Sequence, residues 1–409
     1  MCALIAWSDK YFKGGTSTVN DTRNDGWQPL KGLKIIDFSM LLPGPLATLI
    51  MADLGAEVIK VEPPGGDYAR HMKSFLFEGS NRNKSSIVVD LKAPDAKDII
   101  KRLAEYGDVA IEGFRPGVAD RLGIGPDQLQ AINPALIYCS LSGFGQTGPI
   151  STKAGHDLAY IAMGGGLAQK GQLRQAPSRS SLPVADIAGG SFAAISILAA
   201  MHARKPDEKG AVLDISLYES VLYSSAIRFG FDLPADSVDH LYPGNDLFTC
   251  GDGKLLALTI VEVKFWDNFV RATKTLEPAF GAEDFATGDS RLKNAERLMS
   301  LLDDMFATKT GAEWVALFDA ADVPATVCVS TRDAIATEHA VARAMHVEAD
   351  HGTVMPFPVI ANGLHMPSKQ TGAPPIGADG VGILDKLGFT SDEIASFGGQ
   401  SVVQLPSSD

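Results

Sequence analysis

Leu33-Lys34-Ile35-Ile36-Asp37-Phe38 is a short β-branched run, and after Pro43-Gly44-Pro45 the segment Leu46 to Leu54 spaces its apolar residues as a helix does. Gly55 closes that helix, and Glu57-Val58-Ile59-Lys60-Val61-Glu62 is a second strand, stopped by Pro63-Pro64-Gly65-Gly66. Strand, short helix, strand is a βαβ unit, and its two strands lie parallel because the crossover returns the chain in the same direction. The alternation goes on. Ser86 to Leu91 is a strand, Pro94-Asp95 opens a helix with Ile99, Ile100 and Leu103 on one face, and Asp108 to Ile111 and Ala135 to Leu141 are further strands. A long apolar helix over about 188–204 and a strand from Val212 to Ser216 extend the same body. The expected fold class is α/β, a parallel sheet covered by helices.

Residues 1–28 lack periodicity and hold many turn formers (Gly14-Gly15, Asn20-Asp21, Asn24-Asp25-Gly26), so they read as a loose N-terminal arm. The first part of the large domain is expected over 29–229. From about residue 230 the texture changes. Leu247 to Cys250 and Leu255 to Thr259 flank Gly251-Asp252-Gly253 as a hairpin, and amphipathic helices follow near 263–273, 291–306 and 311–321. This is a smaller α+β domain over 230–330. Residues 331–409, with Pro356, Pro358, Pro367 and Pro374-Pro375 and two short helices near 379–387 and 391–397, read as a return segment that completes the large domain.

Apolar residues make up 45% and charged residues 21% of the 409, which excludes a disordered or fibrous chain. With 36 Lys+Arg against 49 Asp+Glu the net charge is −13 and no basic run is present, so nucleic acid is not an expected partner. A small anionic ligand needs only a few local cations. Cys2, Cys139, Cys250 and Cys328 stand alone, without C-x-x-C spacing, which argues against a disulfide framework and a structural zinc site. The apolar run Ile187 to Met201, about fifteen residues, falls short of the roughly twenty that cross a bilayer and reads as a buried helix, with no membrane expected. Met1 to Trp7 lacks the basic start of a secretory leader. The expected setting is the reduced cytoplasm.

A parallel sheet raises the question of a dinucleotide. The turn after the first strand, Ser39-Met40-Leu41-Leu42-Pro43-Gly44-Pro45, lacks G-x-G-x-x-G, and no P-loop occurs, so NAD and ATP are disfavoured. The eight histidines show no metal-ligand spacing, and no metal is expected. Two positions stand out. Asp186 lies at the mouth of the long apolar helix before Ile187-Ala188-Gly189-Gly190. It reads either as a helix N-cap or as a carboxylate beside bare backbone that a ligand oxygen could approach. His156 follows Gly155 just after the turn-rich Gly143 to Gly148.

These segments carry a resemblance. Leu33 to Glu62 with its D-L-G-A-E-V-I-K-V-E ending, Asn81-Arg82-Asn83-Lys84-Ser85-Ser86, Val89-Asp90-Leu91-Lys92, Gly113-Phe114-Arg115-Pro116-Gly117-Val118 and Ser142-Gly143-Phe144-Gly145-Gln146-Thr147-Gly148-Pro149 resemble the CaiB/BaiF family. That family comprises the family III CoA-transferases and the α-methylacyl-CoA racemases. The resemblance covers about residues 30–225 and returns in the tail. It implies a Rossmann-like large domain formed by both chain ends, a small domain, and an interlocked homodimer.

The resemblance also implies a site. His156 and Asp186 stand thirty residues apart, as the His of a racemase G-H-D-I-N-Y and its following Asp do, and Glu262 is similar in context to the racemase Glu of the small domain. Leu158-Ala159 replaces the Ile-Asn of that motif. Abstraction of a proton α to a thioester needs a base, and inversion needs an acid on the opposite face of the enolate. His156 and Asp186 would supply the pair, Glu262 would fix the imidazole tautomer, and backbone N–H groups at the helix start would take the enolate oxygen. A transferase would instead use Asp186 as a nucleophile that becomes an aspartyl-CoA thioester. No prosthetic group is implied; coenzyme A is the carrier part of the substrate. By family match its contacts fall on Val89, Asp90, Leu91, Lys92, Gly113, Arg115, Arg121, Gly155, Asp157, Leu158, Ala159 and Tyr160. The racemase is the favoured expectation and the transferase its alternative.

Overall fold

The computed structural model describes residues 26–404 except 206–207, 235–236, 350–351 and 365–368, so all but the last few residues of the expected arm lie outside it. The strands are β1 (Lys34–Asp37), β2 (Glu57–Glu62), β3 (Ser85–Val89), β4 (Val109–Glu112), β5 (Ile137–Ser142), β6 (Val212–Ser216), β7 (Asn245–Thr249), β8 (Leu255–Thr259), β9 (Ala325–Val327), β10 (Val347–Ala349), β11 (Gly352–Val354), β12 (Lys369–Gln370) and β13 (Val403–Gln404). One seven-stranded sheet has the order β13-β3-β2-β1-β4-β5-β6. Its β1 to β6 are all parallel, and β13 alone runs antiparallel, against β3. The order reverses between β1 and β4, and a doubly wound sheet opens its ligand crevice beyond the carboxyl ends of the strands at such a point.

Both faces of this sheet are covered. Ile36, Ile59, Val61, Ala110 and Tyr138 join a core with Ile99, Ile100 and Leu103 of the helix Ala96–Tyr106, and Ile383, Leu384 and Phe397 of the last two helices pack into it. Ile35, Val58, Val109, Ile111, Ile137 and Cys139 point the other way, onto the helices Pro43–Asp53 and Val184–Ala203. The period of two along each strand is therefore apolar on both sides, as parallel strands require. A second sheet, antiparallel in the order β7-β8-β9, packs with Trp266, Phe269, Phe306, Trp314 and Phe318 into a separate core. The helix expected over 291–306 is broken at Asn294 into Gly288–Lys293 and Ala295–Phe306.

The helix Val184–Ala203 is longer than the sequence pattern indicated. It is the one helix among the described residues long and apolar enough to cross a bilayer. Gly189 and Gly190 on it are buried against Leu217 and Pro43, which is internal packing, while Ile195 on the other side is 60% exposed.

Candidate active site

The crevice is floored by charge. Asp37 at the end of β1 is wholly buried. It accepts hydrogen bonds from Thr48 Oγ1 at 2.6 Å, from the Ser39 N–H at 2.9 Å and from the Ser39 hydroxyl, and pairs with Lys84 Nζ at 3.2 Å. Burial alone would raise its pKa, but Lys84, Lys60 and the two hydroxyls together hold it down at about 2. Lys60 of β2, 1% exposed, pairs with Asp67 at 2.9 Å and donates to the Ser39 carbonyl at 2.9 Å. Asp67 in turn accepts from the Leu41 N–H at 3.1 Å, and Leu41 has a φ of 66°, a conformation that leucine rarely adopts. Glu62 is chelated by Arg70 at 2.7 Å and by Ser86 at 2.6 Å. None of these pairings was assigned from the sequence. The signal was the presence of Lys60 and Glu62 inside a strand whose neighbours are all apolar: charges buried in a parallel sheet must pair.

Gly113 and Arg115 follow β4 and are exposed at the crevice. Beneath them Glu112, 2% exposed, accepts from the Phe114 N–H at 2.6 Å; burial pushes its pKa up to about 7. Arg121 ends the short turn Val118–Arg121 and is exposed, its guanidinium close over Gly117. Val89 is buried and paired with Val403, Leu91 is half-buried, and Asp90 accepts from the Lys92 N–H at 3.0 Å in an exposed turn. Lys92, Arg115 and Arg121 make no ion pair with a described residue, so their charges are free to meet a ligand.

His156 is the N-cap residue of a seven-residue helix, Asp157–Met163, too short to show as a period in the sequence, and His156 is exposed. Leu158 and Ala159 face outward or are half-buried on this helix. Tyr160 is buried between Gly143 and Gly155. It donates to the Gly155 carbonyl at 2.6 Å and stands edge-on to Phe144 at 5.2 Å. A Cβ on Gly155 would lie 2.7 Å from the Tyr160 ring, which is why glycine stands there. Burial first, then Asp186, raises the Tyr160 pKa to about 12.

Asp186 is not the N-cap. The helix begins at Val184 with Pro183 as its cap residue, and Asp186 sits in the first turn. The donors there are taken by Asp157: its Oδ1 accepts from the Ala185 N–H at 2.8 Å and from the Asp186 N–H at 3.4 Å. Nor do Gly189 and Gly190 open backbone to a ligand. A Cβ on Gly189 would lie 2.2 Å from Leu217 Cδ2, and one on Gly190 would lie 2.5 Å from the Pro43 carbonyl oxygen, so both serve helix packing. The Asp186 carboxyl is pushed up to about 7 by burial and then by Asp157. His156 and Asp186 thus stand at the starts of two helices joined through Asp157. Glu262 is exposed at the N-cap of Val263–Thr273 in the small unit, and its carboxylate bonds no described residue.

A family model for CoA-transferase family III matches residues 30–380. The chain belongs to that family. An α-methylacyl-CoA racemase of Homo sapiens is 30% identical over 386 residues, 92% of this chain and 97% of that protein. A succinyl-CoA–D-citramalate CoA-transferase of Chloroflexus aurantiacus is 30% identical over 410 residues, 92% of this chain and 98% of that protein. A crystal structure of a CaiB/BaiF family protein from Brucella suis superposes with a TM-score of 0.77 at 28% identity, covering 88% of this chain and 99% of that one. The family III relatives therefore include both isomerases and transferases, and each is named for a CoA thioester.

Proposed function

We propose that this family III protein is an acyl-CoA isomerase that epimerises the α carbon of 2-methylacyl-CoA thioesters by two-base proton transfer through an enolate. The observation that carries the reading is Asp186, a carboxyl held up at about 7 at the start of a helix beside the one that carries His156. A carboxyl whose proton comes and goes near neutrality can both give and take one, as a two-base exchange requires in its two directions. His156 removes the α proton from one face and Asp186 returns one to the other; in the reverse direction the roles exchange. The amides of Ala185 and Asp186 are already engaged by Asp157. The enolate oxygen is then left to the Asp157 and Leu158 N–H groups, which donate to no described residue, whereas the Ala159 N–H is already bonded to the His156 carbonyl at 2.8 Å. Lys92, Arg115 and Arg121 supply the local cations that the CoA phosphates need.

The test is incubation with a 2-methylacyl-CoA in D₂O without any acceptor acid. Deuterium should enter at the α carbon. The second reading, a CoA-transferase acting through an aspartyl-CoA thioester on Asp186, is favoured by the transferases among the relatives. It would show no exchange, a need for a second carboxylic acid, and a hydroxylamine-sensitive adduct on Asp186.

A further inference from the structure

One side chain touches both helix starts of the site. Asp157 follows His156 in the chain and is 6% exposed, with Oδ1 on the Ala185 and Asp186 amides at 2.8 and 3.4 Å. Its Oδ2 is buried with no hydrogen-bond partner among the described residues. A buried carboxylate oxygen left without a donor is unfavourable, and no cation is paired with this one to neutralise it. A structural cap would be served as well by a neutral Asn or Ser. A carboxyl at this place therefore asks for another explanation, and its neighbour Asp186 provides one.

We propose that Asp157 is a positioning residue for the proton-transfer pair: its carboxylate locks the helix that starts after His156 to the helix that carries Asp186 and sets a buried acidic group directly beside the Asp186 backbone. The inference rests on the reading of Asp186 as the acid. The groups facing Asp186 are few. Asp157 and Tyr160 come from the helix Asp157–Met163, His156 caps its start, and Arg115 of the loop after β4 acts on Tyr160. Further along the Asp186 helix, the atoms nearest Gly189 and Gly190 belong to Leu217, Leu141, Pro43 and Leu46, all uncharged. Asp157 is thus the acidic group that acts on Asp186, and removing it should lower the affinity of Asp186 for its proton.

The experiment is a titration of ¹³Cγ-aspartate-labelled protein by NMR, with Asp186 assigned through Asp186→Asn, in wild type and in Asp157→Asn. The amide oxygen of Asn keeps the bond from Ala185, so the fold should hold. The Asp186 midpoint should fall by about one pH unit or more, and the limb of the α-exchange profile that reports Asp186 should move down with it. A purely structural role would lower thermal stability and leave the midpoint in place, and an unmoved midpoint overturns the proposal. Asp157→Ala separates the two jobs, since it should shift the midpoint equally and also lose the cap. Should neither variant fold, wild type alone decides. Asp157 and Asp186 must then titrate in two separated steps, each felt by both carboxyl signals, and independent titration overturns the proposal. A shifted midpoint in a protein that never exchanges α protons would leave Asp157 in its role and remove the isomerase.

Discussion

Asp37, Lys84 and Lys60 show how a single residue is made indispensable by its surroundings. Lys84 is wholly buried, donating to the Pro45 carbonyl and the Asn81 side chain, both at 2.9 Å, as well as to Asp37. Lys84→Met leaves Asp37 short of a partner, and chemical denaturation should show a loss of about 3–5 kcal/mol, the usual result of breaking a buried pair. The double variant Lys84→Met/Asp37→Asn should recover part of it; strict additivity would show that the two do not interact. The acid dependence follows with a definite sign. Asp37 is depressed to about 2 in the folded protein, so its contribution is present above the unfolded carboxylate range near ~3.9 and is lost as pH falls toward 2. In Asp37→Asn the denaturation midpoint should therefore change less between pH 4 and 2 than in wild type. At the site, His156→Ala and Asp186→Asn should each remove most α exchange, a fall on the order of 10²-fold or more, with unfolding temperature little changed. Glu262→Gln should be milder and alter the pH profile; an unaltered rate at every pH would take Glu262 out of the chemistry.

At the scale of elements, the helix Val184–Ala203 meets its two neighbours through adjacent glycines with different tolerances. A methyl group on Gly189 presses on the end of a flexible leucine, while one on Gly190 presses on backbone. Gly190→Ala should therefore cost about 1–3 kcal/mol in chemical denaturation and Gly189→Ala less, because Leu217 can change rotamer and the Pro43 carbonyl cannot. Equal losses would show that the helices slide apart freely. The same two residues mark how far the sequence could be read. β2 and β6 were legible to the residue, since Glu57–Glu62 and Val212–Ser216 are short runs built around Val, Ile and Leu and ended by turn formers or a helix. The glycines looked like an opening for a ligand because packing partners distant in sequence, Pro43 and Leu217, are invisible in a linear pattern. Asp157–Met163 was passed over for a related reason. It is too short for a period to register, and its stability comes from Tyr160 wedged against Gly143 and Gly155. The charge floor was legible as types, Lys60, Glu62 and Lys84, but not as pairs.

Across the whole molecule, the segment between the His156 and Asp186 helices reaches out to the small unit. Leu173 packs on the small core, Gln172 donates to Asp246 at 2.8 Å, and Arg174 pairs with Asp303. The two halves of the candidate site are thus connected by a strap that the second unit holds. The remaining whole-molecule property is charge. At −13 the protein repels an anionic cofactor at long range, so local cations must dominate wherever CoA enters. Arg121 is exposed, makes no ion pair among the described residues and lies just past the carboxyl end of β4, at the sheet's topological switch. Arg121→Ala removes charge-assisted hydrogen bonds typically worth ~1.5–3 kcal/mol. That is roughly a ten- to hundred-fold rise in the dissociation constant of CoA at ~1.4 kcal/mol per decade. Because the side chain is open to solvent, the difference between wild type and variant should shrink as salt is added, with screening over about 10 Å at 0.1 M. Isothermal titration of CoA at two ionic strengths checks both parts. An unchanged dissociation constant would make Arg121 a surface residue and move phosphate recognition to Arg115 or Lys92, whereas a salt-independent loss would mean that the bound phosphate is buried with the guanidinium.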